Sequence, residues 1–95
     1  MKPGIPPLAR GAFAYRAEFP ARWRDFLRAV FPSARKTAAF FAVDERTARS
    51  WWHGSFGPQG YAVALAMAHF PEEARRYLLG AVERWVRKLR GAGVA

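Results

Sequence analysis

The sequence predicts an all-α domain of five helices behind an irregular N-terminal arm. Three observations point there. Apolar residues recur three or four apart through most of the chain after residue 20. Ser, Asp and Pro stand where those stretches begin, and Pro or Gly where they end. No segment makes a convincing strand.

Residues 1–19 are expected to form a basic arm, because Pro3, Gly4, Pro6, Pro7 and Gly11 oppose regular structure. Ile5, Leu8, Phe13, Tyr15 and Phe19 would pin that arm onto a core. The domain proper spans 20–95. Its first helix opens with Pro20 in the first turn, where the missing N–H does no harm, and Pro32 ends it. Within it Trp23, Phe26, Leu27, Val30 and Phe31 form one apolar stripe, with Arg22, Arg24, Asp25 and Arg28 off it.

Ser33 is the expected N-cap of a second helix over about 34–42, and Asp44 that of a third over about 45–53, which stops at Gly54. The loop GSFGPQG follows. A fourth helix, about 59–69, is apolar almost all round (YAVALAMA), which predicts burial. Pro71 starts the last helix, about 72–90, where Ala74, Tyr77, Leu78, Ala81, Val82, Trp85, Val86 and Leu89 make a broad stripe.

Ninety-five residues with 52% apolar and 16% aromatic content suit one small folded domain. Cysteine is absent, which excludes disulfides and thiolate chemistry. The longest apolar run, Tyr61–Ala68, is far short of a membrane span, and the proline-rich start is no secretion signal, so a cytoplasmic, nucleoid-associated bacterial protein is expected. No phosphate loop, acid pair or Ser/His/Asp set appears, and His53 and His69 lack partners at metal spacing. No enzyme, metal or cofactor is expected.

Charge is the strongest bulk feature. Sixteen basic residues, thirteen of them Arg, oppose seven acidic ones for a net +9. A GC-rich genome would favour Arg over Lys but does not explain the excess. Residues 1–36 carry +6, 37–60 are neutral and 61–95 carry +3. Attraction to phosphate is therefore expected from the arm and first helix, through Lys2, Arg10, Arg16, Arg22, Arg24 and Arg28. Arg84, Arg87, Lys88 and Arg90 read as a solvated face or a second DNA-facing patch.

The stretch SARKTAAFFAVDERTARSWWHG (33–54) has the order that two short helices crossing at a steep angle require. Small residues lie at the crossing (Ala38, Ala42, Ala48), apolar ones inward (Phe41, Val43, Trp51) and polar ones outward. With about 100° per residue and Ala48 inward, Trp51 and Trp52 lie within about 60° of it. Arg46, Ser50 and His53 then face away, with Arg49 at the flank. Trp51 reads as core; Trp52 as packing or as a sugar–phosphate contact.

Together with Pro58 and the VALAMA helix, this stretch resembles the lambda-repressor-like helix-turn-helix domains of the Cro and phage-repressor type. The resemblance covers about Trp23 to Phe70, half the chain. Ala38, Ala42, Val43, Ala48 and Trp51 occupy the small and inward roles, and WWHGSFGP resembles the run into the family's fourth helix. Two positions depart: the turn residue, usually Gly, is Ala42, and Ala48 stands where Ile or Val is usual. A phage or other mobile element would suit so small a chain.

The resemblance implies that helix 45–53 enters the major groove of double-stranded DNA. Glu45, Arg46, Arg49, Ser50 and His53 would meet base edges, the two arginines on guanine. Ser33, Arg35, Lys36 and Thr37 would meet phosphates at the preceding helix start, joined by Arg10 and Arg16 from the arm. One chain reads few base pairs, so a homodimer through the last helix is expected, although that stripe equally suits the domain's own core. The expected function is sequence-specific transcription regulation. The alternatives are an architectural DNA factor in recombination or excision, and a docking module for RNA polymerase or another transcription protein.

Overall fold

Trp23, Phe26 and Leu27 are wholly removed from water, as the stripe of the first helix requires. That helix is far longer than its stripe. The computed structural model describes the backbone of residues 7–91 and the side chains from residue 14 onward, apart from 81, 85 and 89. Within that range α1 runs Pro7–Val30, so residues 7–19 are helical rather than an irregular arm; residues 1–6, with Lys2, lie outside the description.

Pro20 is therefore interior to α1, not in its first turn. It has no N–H for the Arg16 carbonyl, a defect that ordinarily costs about 3 kcal/mol. Tertiary contacts on both sides of it hold the helix. Tyr15, Phe19 and Trp23 sit four apart on one face, with ring centroids 5.5 and 6.4 Å apart in succession. The Tyr15 hydroxyl donates to the Leu78 carbonyl, fastening α1 to the far end of the chain. Burial raises the Tyr15 pKa above its ordinary value, against a smaller lowering by Arg22.

After Val30 come α2 (Ala34–Phe41), α3 (Glu45–Trp52), α4 (Gly60–His69), α5 (Pro71–Ala74) and α6 (Gly80–Gly91). The fold is all-α, six helices with no strand among the described residues. The last helix expected from the sequence is one rod in which a π-helical stretch, Arg75–Leu79, separates α5 from α6. This widened turn lies where the rod meets α1 at Tyr15 and Leu78. Arg75 reaches along the rod to Glu83, 3.0 Å away.

The core is aromatic at its centre and alanine-lined at its edges. Trp23 lies 5.3 Å from Phe26 and 5.6 Å from both Phe41 and Trp51, centroid to centroid. Its indole N–H is buried with no hydrogen-bond acceptor among the described residues. A second group, Phe31, Phe40 and Phe70, closes the far side at 5.3–5.4 Å. Ala62, Ala66 and Ala74 let α4 and α5 approach closely.

The expectation that α4 is buried all round does not hold. Ala62 and Ala66 face inward, while Ala64 and Ala68 are exposed and Tyr61 and Met67 are half and two-fifths exposed. A domain this small has too little chain to surround a helix. No helix among the described residues is long and apolar enough to cross a membrane.

Candidate nucleic-acid interface

α2 and α3 meet across the turn Ala42-Val43-Asp44. Ser33 caps α2 by accepting from the Lys36 N–H at 3.2 Å, and Asp44 caps α3 by accepting from the Thr47 N–H at 2.7 Å. These bonds satisfy amides that the helix geometry leaves free. Hydrogen bonding from Thr47, first from its backbone and then from its side chain, lowers the Asp44 pKa. Between the helices Ala42 adopts left-handed backbone, φ 55° and ψ 44°. Its N–H and that of Val43 both donate to the Ala38 carbonyl. A Cβ in this conformation costs roughly 1–2 kcal/mol, so the turn holds because Ala38, Phe41 and Ala48 are buried beside it.

The inner side of α3 is sealed: Ala48 is fully buried and Trp51 nearly so, its ring 5.6 Å from Phe41. Arg46, Arg49 and His53 are exposed on the outer side, and Ser50 is half-buried at its edge. Arg49 lies 3.4 Å from Glu45, which also has Arg35 at 3.9 Å. Glu45 thus joins the start of α2 to the outer row of α3. Arg35 and Lys36 are both exposed there, and Ser33 is half-buried.

Thr37 does not belong to this surface. It is fully buried and its hydroxyl donates to the Ser33 carbonyl at 3.0 Å, because its position one turn into α2 points it at the core. Arg16 is exposed on α1 beside Tyr15, Phe19, Pro20, Gly57 and Pro58; the side chain of Arg10 lies outside the described residues.

Several arginines counted as phosphate attractors are engaged within the protein. Arg22 bonds Glu18 at 2.6 Å, and Arg24 bonds Asp25 at 3.0 Å. Arg28 places two nitrogens 3.0 and 2.8 Å from the Trp52 carbonyl, with its guanidinium 5.2 Å from the Trp52 ring centre. Between the two readings of Trp52, the observed contact is packing: Arg28 covers its ring and caps the end of α3. Arg84, Arg87, Lys88 and Arg90 are exposed along α6.

One feature of this surface carries no motif signal. Phe56, in the loop after α3, is 67% exposed and borders a cleft of about 400 Å³ with Arg46, Thr47, Ser50, Trp51 and Gly57. The only trace in sequence is an aromatic residue in a glycine-flanked loop. Comparison with protein-family models, with curated proteins and with solved structures finds no match for this chain.

Proposed function

We propose that the protein is a sequence-specific double-stranded DNA-binding regulator and that α2, the Ala42 turn and α3 act as a lambda-repressor-like helix-turn-helix unit. The observation that carries the reading is the division of α3 into two sides. Ala48 and Trp51 are sealed inward while Arg46 and Arg49 stand in water on a helix of eight residues, with His53 exposed at its C-cap. A bare helix about 10–12 Å across fits the major groove.

In this reading Arg46 and Arg49 each donate two parallel hydrogen bonds to guanine O6 and N7, with Ser50 and His53 beside them. Glu45 exchanges its contacts with Arg49 and Arg35 for a cytosine amine. Arg35, Lys36 and Ser33 lie along one phosphate strand, the exposed bases supplying attraction and the start of α2 orientation. Two copies pair through α6, where Val82 and Val86 lie four apart and half-buried, to span two half-sites.

The test is a salt titration of binding to duplexes selected from a random pool and to unselected duplexes. Base reading requires tighter binding to the selected sites at every salt concentration, and a palindrome among them reports the two-fold pairing. Equal affinity for every duplex ends the regulator reading in favour of an architectural one. No affinity at low salt ends both.

A further inference from the structure

The exposed ring of Phe56 stands on a loop fixed by the rest of the fold. Here the loop is held from both sides. Gly54, at φ +76°, donates to the Trp51 carbonyl at 3.0 Å, and the Ser55 N–H to the Ser50 carbonyl at 2.9 Å. Arg24 of α1 packs under Gly54, where an added Cβ would meet its side chain at 3.4 Å. A Cβ on Gly57 would lie 3.5 Å from the Phe19 ring and 4.0 Å from Pro20. The backbone on each side of Phe56 is thus seated on α1, so the ring's projection is built in. Neither flanking position, Ser55 nor Gly57, has a bulky side chain to shield it.

The cleft beside this ring is lined by both apolar and hydrogen-bonding residues. Phe56 and Gly57 border it from the loop, and Arg46, Thr47, Ser50 and Trp51 from α3. In the major groove thymine alone among the four bases presents an apolar group, its 5-methyl, next to an acceptor, O4. Guanine offers two acceptors and nothing for a phenyl ring; cytosine offers an amine, which a guanidinium cannot accept. An apolar ring in the same cleft as hydrogen-bond donors therefore selects thymine.

We propose that the cleft between Phe56 and the Arg46–Ser50 edge of α3 receives the 5-methyl group of a thymine, while Ser50 and a guanidinium N–H of Arg46 not used on the neighbouring guanine donate to its O4. The proposal rests on α3 entering the major groove. It adds a base contact from outside the reading helix and predicts a thymine at a fixed place in each half-site.

Uracil has the same hydrogen-bonding edge as thymine without the methyl, so the test replaces each thymine of a selected duplex by uracil in turn. The expected result is one position per half-site where uracil weakens wild-type binding about fourfold, as for loss of one buried methyl. With Phe56→Ala the same replacement has no effect there, and Phe56→Leu retains part of it. Thermal unfolding of both variants should match wild type, because the ring is two-thirds exposed. A wild type that prefers its selected duplex yet is insensitive to uracil everywhere overturns the thymine contact and leaves base reading intact. A uracil effect that persists unchanged in Phe56→Ala overturns it too. Absence of any preference between selected and random duplexes overturns the base reading and this contact together.

Discussion

α1 and α3 pack together through Trp23 and Trp51, and both carry arginines, yet they deploy them differently. On α1, Arg22, Arg24 and Arg28 each bond to a carboxylate or carbonyl of the protein itself. On α3, Arg46 and Arg49 face water, and the ion pair of Arg49 with Glu45 is exposed and loose at 3.4 Å. The net charge of a segment thus does not tell which of its guanidinium groups are engaged within the protein. The first 36 residues hold the largest excess, yet three of their arginines are engaged within the protein, while the neutral segment 37–60 presents Arg46 and Arg49 to water. A surface ion pair is worth little and yields readily to phosphate, so the engaged arginines still add to the field around the molecule. What α1 supplies locally is support, through Arg24 under Gly54 and Arg28 on Trp52.

The largest effect should come from removing what the two helices share. Trp23→Ala opens a void among Phe26, Phe41 and Trp51 and should cost about 3–5 kcal/mol. For a domain of this size the thermal midpoint should then fall by at least about 12 °C. An unchanged melt would mean that α1 and α3 do not depend on a common wall.

Paired arginine variants separate the helices next. Arg46→Ala or Arg49→Ala should reduce discrimination between selected and random duplexes by about 1–3 kcal/mol, with unfolding unaltered. Arg28→Ala should do the reverse, lowering the unfolding midpoint while leaving base preference in place. If Arg28→Ala abolishes preference without loss of stability, its role is contact rather than support.

A smaller gain should follow from Ala42→Gly. It removes a Cβ from a left-handed turn, a relief of roughly 1 kcal/mol that the freer unfolded chain partly offsets. The unfolding midpoint should rise by a few degrees; a fall would show that the Ala42 methyl packs usefully between α2 and α3.

The smallest effect is the acid dependence of α3. A carboxylate whose pKa is lowered on folding stabilises the fold above its ordinary value, 3.8 for Asp44, and loses that contribution as pH falls through the lowered value. Unfolding midpoints measured below pH 3.8 should therefore drop less steeply for Asp44→Asn than for wild type. Equal slopes would show that the charge at the cap contributes nothing.

Much of the helical layout is legible locally. Ser33 and Asp44 announce the starts of α2 and α3 because capping is a matter of three residues, and both caps form. The stripe Trp23, Phe26, Leu27 and the inward pair Ala48, Trp51 follow from helical period alone, and all five are buried. Outward placement of Arg46, Arg49 and His53 comes from the same period. Long-range contacts decided the rest. Pro3, Pro6, Pro7 and Gly11 argue against a helix near them and Pro20 reads as a helix start, but from residue 7 onward α1 forms, anchored where Tyr15 reaches a carbonyl 63 residues away. The π-helical stretch opposite Tyr15 has no mark in the sequence. Nor does the fixed projection of Phe56, which arises where α1 meets a loop 30 to 38 residues downstream, at the Arg24–Gly54 and Phe19–Gly57 contacts.

By itself the sequence determined the all-α class, the caps and the two-sidedness of α3, because each depends on residues within about one helical turn of one another. Only the tertiary structure decided how far α1 extends, which arginines remain available and how the loop beyond α3 is aimed. Those depend on which side chains meet from distant parts of the chain, where a single well-placed ring or hydroxyl outweighs local preference.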